Sequence, residues 1–372
     1  MGRDSGLCAS LPYHTPGDLG RTGVCSIIDP MDRRAIPQRR PARAARWGVA
    51  GLSALLCLGL LELFFRTVQP AAAYLQMRPV IQQYATRPDP VLQYRQREGF
   101  SGRFDTRDFR TTVRINSRGL REREIPYEKR AGTRRILALG DSFAFGWGVE
   151  EEQTAVRLLE PLLPGIETVN AGCSGWSTRQ EVEFFALEGR KYRPDLVLLF
   201  FCQNDPAENE QQYAFREGRL VLAGESQGVG ARLDRFLRRN SALYALGGRV
   251  LQKLGRGAPT SAPAEQQADE WRTEQALLSR LAEECRAAGA ALALVIVPGK
   301  GPRGEPIPAP GAERLTAVAG QTGIPILDLQ PALHEAYAAE PVSFPRDEHW
   351  TPAGHRTAAL AIAKFLRTHR LP

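Results

Sequence analysis

Four short polar clusters in this chain carry the residue types that acyl transfer through a serine requires. They are Gly140-Asp141-Ser142, Asn170-Ala171-Gly172-Cys173-Ser174-Gly175, Asn204-Asp205 and Asp347-Glu348-His349. A serine hydroxyl is a poor nucleophile until a neighbouring base takes its proton, and imidazole titrates near neutral pH. We therefore expect Ser142 to be the nucleophile and His349 the general base.

Asp347 stands two residues before His349, and in an extended loop such residues project to the same side. It can then hold the second ring nitrogen and stabilise the imidazolium that forms during the reaction. The oxyanion of a tetrahedral intermediate needs preorganised donors. We expect these to be the backbone N–H groups of Ser142 and Gly175 and the side-chain amide of Asn204.

Each assignment has a structural alternative. Asp141 or Ser142 by itself is also a typical cap for the following helix. His349 is equally compatible with a loop histidine that hydrogen-bonds Glu348 or the backbone. The presence of four clusters favours catalysis over both alternatives.

Other conspicuous residues are expected to be structural. His355 begins the last predicted helix and should pack or cap, Asp205 should orient Asn204 or bind backbone donors, and Cys202 should pack at the end of a buried strand. Three tryptophans beside the clusters fit an acyl pocket and the core equally well: Trp147, Trp176 and Trp350.

From residue 135 the apolar pattern alternates between strands and helices, which predicts an α/β fold with a parallel sheet covered on both faces. The predicted strands are 135–139, 166–170, 195–202, 291–297 and 324–328, and the predicted helices are 151–162, 179–190, 266–289, 310–321 and 353–368. Each polar cluster follows a predicted strand. Because the carboxyl ends of parallel strands share one edge, we expect the clusters to meet there.

These ordered clusters resemble the blocks of the SGNH (GDSL-like) hydrolase superfamily over residues 134–370. The resemblance implies a flavodoxin-like, three-layer fold. It also implies Ser142 as nucleophile, His349 as base with Asp347 as its carboxylate partner, and an oxyanion hole that includes Gly175 and Asn204. Two positions differ from the usual pattern: Gln203 stands where a glycine usually precedes Asn-Asp, and the last block is Asp-x-His instead of Asp-x-x-His. The shorter spacing is similar to that of membrane-linked relatives, including alginate-acetylation proteins, which implies action on envelope glycans.

The N-terminal part predicts a membrane anchor. Residues 1–46 hold eight Arg and four Asp and lack apolar periodicity, so we expect a disordered, basic, cytoplasmic tail; Met31 is an alternative initiator. Residues 47–66 are predicted to be a transmembrane signal anchor, since 47–65 contain one charge. The excess of arginine before it predicts that the rest of the chain lies outside the cytoplasm. A cleaved signal peptide, ending near Ala71-Ala72-Ala73, is the alternative.

Two further regions complete the predicted organisation. Residues 67–134 should form a lead-in with short β elements, in which Thr111–Ile115 alternates like an exposed strand before a turn at 116–119. Residues 206–265 interrupt the alternation as an insertion, with an amphipathic segment at 231–254 and a linker at 255–264, and fit a lid or a plain surface helix. The domain that contains the sheet is predicted over 135–370.

Composition narrows the function classes. The net charge of +8 includes +4 from the N-terminal tail, and no basic face with interleaved aromatics appears, so nucleic acid is not an expected partner. The six cysteines form no CxxC pair and no metal-ligand spacing, and we expect neither a metal nor a cofactor. A Cys173–Cys202 disulfide is disfavoured.

The sequence therefore predicts a membrane-anchored, extracytoplasmic serine esterase or O-acyltransferase that forms an acyl-Ser142 intermediate. Its expected substrate is an acylated envelope glycan, with envelope polysaccharide machinery as a partner. A lipase-type enzyme for lipid or small esters is the first alternative. A non-catalytic glycan-binding or scaffold module is the second.

Overall fold

A computed structural model describes residues 43–68, 85–216, 219–224, 228–244, 247–248 and 264–371. Helix α1 spans Arg43–Val68. Within it, Trp47–Phe64 is long and apolar enough to cross a membrane, by length and composition. The helix begins four residues before the predicted anchor, so residues 43–46 are helical and not part of a disordered tail. The rest of the predicted tail, with Met31, and residues 69–84 of the lead-in lie outside the described residues.

The remaining elements alternate as the apolar pattern predicts from residue 135 onward. The strands are β1 Thr86–Asp89, β2 Gln93–Gln96, β3 Ser101–Asp105, β4 Arg110–Arg114, β5 Arg134–Gly140, β6 Ile166–Asn170, β7 Leu196–Phe201, β8 Tyr213–Arg216, β9 Arg219–Leu222, β10 Ala291–Ile296, β11 Gly299–Lys300, β12 Pro306–Ile307 and β13 Ile326–Asp328. The further helices are α2 Ser142–Phe145, α3 Ala155–Leu162, α4 Thr178–Leu187, α5 Asp205–Glu208, α6 Val229–Asn240, α7 Ala264–Ala287, α8 Ala312–Thr322, α9 Gln330–Tyr337 and α10 Pro352–Thr368. Short 3₁₀ turns cover Glu151–Gln153 and Gly189–Tyr192.

Five strands form one parallel sheet in the order β13-β10-β7-β5-β6. Counted along the chain this is the order 2-1-3-4-5 of flavodoxin-like folds, as the resemblance implied. The strand order reverses between β5 and β7, which opens a crevice at their carboxyl ends. Ser142 follows β5 and Asn204 follows β7, so both residues flank this crevice.

The strands are apolar throughout because helices bury both faces of the sheet. In β5, Leu137 and Leu139 pack into one core, while Ile136 and Ala138 pack into the other. Helices α4, α7 and α8 cover the first face, and α3, α9 and α10 cover the second. The three-layer fold predicted from the sequence is therefore confirmed.

The lead-in packs more closely than its sequence suggests. Strands β3 and β4 pair as an antiparallel hairpin, as do β1 and β2. The prediction of an exposed strand at Thr111–Ile115 is wrong on one face, since Thr111 and Val113 are buried. They are buried because this hairpin shares a small core with Phe145 and Trp147 of the segment that follows Ser142. The predicted turn is confirmed by the bond from the Gly119 N–H to the Asn116 carbonyl.

The insertion between β7 and α7 contains a hairpin that the sequence did not indicate. Strands β8 and β9 pair, and Phe215 and Leu220 pack against the core of the sheet. Helix α6 spans Val229–Asn240 and covers the first part of the predicted amphipathic segment, 231–254. Residues 249–263, which include nearly all of the predicted linker, lie outside the described residues. The role of this insertion as a lid stays a prediction.

The predictions for Cys173, Cys202 and His355 agree with the structure. Cys173 and Cys202 are free thiols, so they form no disulfide. His355 is buried in α10, and its Nδ1 accepts the Ala155 N–H of α3 at 3.1 Å. Burial lowers the pKa of His355 to about 3, which keeps the ring neutral. His355 therefore joins two helices and is not available as the base.

The His355→Ala substitution tests this assignment through the pH dependence of stability. The imidazole of an unfolded chain has a pKa of about 6.5 and takes up a proton that the folded protein does not. The wild type therefore loses stability as the pH falls from about 6.5 toward 3, and the variant should lose less over that window. Urea unfolding between pH 4 and 7 measures the difference. Equal pH dependence in both proteins would contradict a neutral, buried His355.

Candidate active site

The serine cluster forms a tight strand-to-helix turn. Helix α2 begins at Ser142, one residue after its N-cap Asp141, whose carboxylate accepts the Phe143 N–H at 2.8 Å. Asp141 is therefore the cap of this helix, and its neighbour Ser142 is the expected nucleophile. Gly140 has φ +152°, and a Cβ there would lie 2.7 Å from the Ala144 Cβ. Only glycine lets the chain turn this sharply beneath the serine.

The second cluster is packed directly against α2. A Cβ on Gly172 would lie 2.3 Å from the Phe145 nitrogen, so the close approach requires glycine. The Asn170 side chain joins the two segments: its Nδ2 donates to the Ala144 carbonyl at 2.7 Å, and its Oδ1 accepts the Gly172 N–H at 3.0 Å. These contacts fix the second cluster relative to Ser142.

Ser142, His349 and Asp347 form a continuous hydrogen-bonded array. His349 Nε2 lies 2.6 Å from Ser142 Oγ. Asp347 Oδ1 binds His349 Nδ1 and accepts the His349 main-chain N–H at 3.0 Å. A donor at Nδ1 and an acceptor at Nε2 is the tautomer that a general base needs. All three residues are buried, with 3%, 1% and 4% exposure in the order named.

The three expected oxyanion donors belong to the segments that follow β5, β6 and β7. No hydrogen bond among the described residues uses the backbone N–H of Ser142 or Gly175, or the side-chain amide of Asn204. Gly175 and Asn204 are half-buried. Asp205 is fully buried, and its Oδ2 accepts the Cys202 N–H at 2.9 Å. Asp205 therefore binds the backbone, as expected.

The loop that carries Asp347 and His349 is held by a lysine that the sequence analysis missed. Lys300 Nζ donates to the carbonyls of Asp347 at 2.8 Å and Pro345 at 3.2 Å, and also to that of Phe344. Burial lowers the pKa of this ammonium group. Lys300 lies in the two-residue strand β11, outside any motif, so no local pattern could have indicated its role.

The three tryptophans beside the clusters belong to the core. Trp147, Trp176 and Trp350 are at most 3% exposed. Trp350 stacks edge-on against Phe143, and Trp176 Nε1 donates to the Tyr94 carbonyl at 3.0 Å. None of the three lines the open cleft beside the array, which leaves the acyl-pocket interpretation without support.

That cleft has a volume of about 640 Å³, and Asp347 is the residue of the array that borders it. Its lining contains no Leu, Ile, Val or Met: it consists of Gln203, Lys300, Gly301, Pro302, Arg303, Gly304, Tyr337, Pro341, Ser343, Phe344, Pro345, Arg346, Asp347 and Glu348. Within the described part of the chain, no group of three or more His, Cys, Asp or Glu side chains is arranged to hold a metal ion.

The GDSL-like Lipase/Acylhydrolase family matches residues 138–357. No curated protein matches the chain. Similar solved structures include TesA, at 18% identity over 63% of this chain and 99% of that one, with a TM-score of 0.39. A putative lipolytic protein of the G-D-S-L family from Desulfitobacterium hafniense is 14% identical over 62% and 99%, with a TM-score of 0.40.

A catalytic mutant of an acetylxylan esterase from Geobacillus stearothermophilus is also similar. It is 16% identical over 64% of this chain and 96% of that one, with a TM-score of 0.39. At such identities a similar fold carries no information on the substrate.

The Lys300→Met substitution tests how far the array depends on its loop. Removing the ammonium leaves three carbonyls without their donor, and we expect turnover of p-nitrophenyl acetate to fall by about 10²-fold, as for other small misplacements of a catalytic group. Lys191→Met is the matched control, because Lys191 is half-exposed and pairs with Glu188 on the surface. Equal activity of the two folded variants would show that Lys300 does not position the loop.

Proposed function

This chain belongs to the GDSL-like lipase/acylhydrolase family, and we propose that it is a membrane-anchored, extracytoplasmic serine esterase or O-acyltransferase acting on acylated envelope glycans. The observation that carries the proposal is the contact of 2.6 Å between His349 Nε2 and Ser142 Oγ, with Asp347 on the opposite ring nitrogen. A binding module has no need for this arrangement. The non-catalytic alternative is therefore not favoured.

In the first half of the proposed reaction, His349 takes the Ser142 proton while Oγ attacks the acyl carbon. The negative charge that forms on the carbonyl oxygen is stabilised by the N–H groups of Ser142 and Gly175 and the amide of Asn204. Asp347 stabilises the imidazolium. The bond from the acyl carbon to the glycan oxygen then breaks, and this oxygen takes the proton from His349 and leaves as a hydroxyl. The acyl group remains on Ser142.

In the second half, a hydroxyl compound enters and gives its proton to His349 as it attacks the acyl-serine. The tetrahedral intermediate then expels Ser142 Oγ, which takes this proton back from His349 and restores the free serine. If that compound is water, the products are a free acid and the enzyme, and the protein is an esterase. If it is a sugar hydroxyl, the acyl group is transferred. Both outcomes use the same residues, so the acceptor decides between them.

The composition of the cleft supports a polar substrate. A long acyl chain gains free energy by burying methylene groups against apolar side chains, about 0.8 kcal/mol for each. The lining contains no Leu, Ile, Val or Met and includes Lys300, Arg303, Arg346 and Glu348. Since Asp347 of the array also borders this cleft, it suits the sugar of a glycan ester better than a fatty acyl chain.

The membrane location rests on α1. Trp47–Phe64 has the length and composition of a membrane span. Six arginines lie at positions 33–46 just before it, whereas Arg66 is the single arginine just after it. This supports a cytoplasmic N-terminus and a catalytic domain on the outer side, where envelope glycans are found.

The proposal is tested by incubating the full chain in detergent with acetylated envelope glycan, and with the same glycan after chemical deacetylation plus an acetyl donor. We expect acetate release in the first reaction, or a gain in mass of the glycan in the second, and neither with Ser142→Ala. Hydrolysis of long-chain lipid esters alone would overturn the glycan assignment. Full activity of folded Ser142→Ala would overturn the serine mechanism.

A further inference from the structure

One tryptophan joins the two ends of the catalytic array. The main-chain N–H of Trp147 donates to the Ser142 carbonyl at 3.0 Å. Its indole Nε1 donates to Asp347 Oδ2 at 3.2 Å. The backbone of Trp147 therefore binds Ser142, the proposed nucleophile, and its side chain binds the carboxylate of Asp347.

The indole bond completes the coordination of the carboxylate. Asp347 Oδ1 binds His349, and Oδ2 accepts from Trp147. With a donor on each oxygen, the carboxylate plane cannot rotate without losing one of the two bonds.

Packing fixes the indole ring in this orientation. Trp147 contacts Phe104 and Phe109 of the lead-in hairpin, with ring centroids 5.6 and 6.2 Å apart. Its other side faces the His349 ring at 5.9 Å. The ring is therefore held between the lead-in and the proposed base.

A buried arginine fixes the turn that carries Trp147. Arg121 Nη1 donates to the Phe145 carbonyl at 3.1 Å and to that of Gly146, and Nη2 donates to the Val149 carbonyl. Arg121 is 1% exposed, and none of the ion pairs among the described residues includes it. Burial lowers its pKa to about 10, so it stays charged at neutral pH. Its guanidinium group therefore binds three backbone carbonyls and no carboxylate among the described residues.

We propose that Trp147 is a positioning residue that fixes Asp347 relative to Ser142, and that Arg121 holds Trp147 in place. The inference rests on the proposed function, because it assigns roles around the same array. Arg121 lies before residues 138–357, the part of the chain that matches the family. A lead-in residue outside the family match thus contributes to the proposed site.

The first test is Trp147→Phe, which keeps an aromatic ring and removes the N–H. We expect kcat for p-nitrophenyl acetate to fall about tenfold, which corresponds to one hydrogen bond to a charged group, with little change in KM. The loss should therefore appear in kcat, which separates a displaced carboxylate from a loss of substrate binding.

Trp176→Phe is the matched control. Trp176 is equally buried and also loses one indole hydrogen bond, but its acceptor is the Tyr94 carbonyl. It should lower the melting temperature as Trp147→Phe does and leave kcat close to that of the wild type. If both variants show the same kcat, Trp147 does not position Asp347 and the inference fails.

A double-mutant cycle tests the part of Arg121. Arg121→Lys keeps the charge but cannot reach three carbonyls with a planar fork. If Arg121 acts through Trp147, the losses in kcat of the two single variants will not add in the double variant. Additive losses would overturn this link. A folded wild type without ester turnover would instead refute the proposed function, so the two failures are distinguishable.

Discussion

The contact between Ser142 Oγ and His349 Nε2 joins residues that are 207 positions apart in the chain. A hydrogen bond of this kind depends on placement to within a few tenths of an ångström, which loops alone do not provide. The parallel sheet supplies most of it, because the carboxyl ends of its strands lie on one edge. Ser142 follows β5, and Asn204 follows β7 across the point where the strand order reverses. The His349 loop reaches the same edge from the C-terminal part of the domain.

The sheet brings these loops together, and a few cations and amides then fix them. Lys300 holds the acid and base loop through its backbone carbonyls, and Arg121 does the same for the turn after Ser142. Gln96 of the lead-in donates to the Gly172 carbonyl at 2.8 Å. A buried main-chain carbonyl needs a partner, so each contact both satisfies a polar group and sets a position. Residues 85–134 are for this reason part of the catalytic body and not a spacer.

The sequence was sufficient where the signal is local. Continuous apolar runs such as Leu196–Phe201 indicate strands buried on both faces, and polar clusters after such strands locate the edge where Ser142 and His349 meet. The sequence was insufficient where a residue acts through a contact with a distant part of the chain. Examples are the indole N–H of Trp147, the ammonium of Lys300 and the buried side chain of Val113. Each depends on residues tens or hundreds of positions away. Helix α9 was missed because Gln330 and Pro331, at its start, have the composition of a loop.

The role of Ser142 as nucleophile is measured most directly by covalent labelling of the full chain with a fluorophosphonate probe, followed by peptide mass mapping. An activated serine attacks the phosphorus atom, so the probe reports on the nucleophile without any choice of substrate. An acyl-serine mechanism predicts one adduct, on Ser142, that forms far more slowly in His349→Ala. A folded wild-type protein that takes up no probe, or takes it up on another residue, would contradict it.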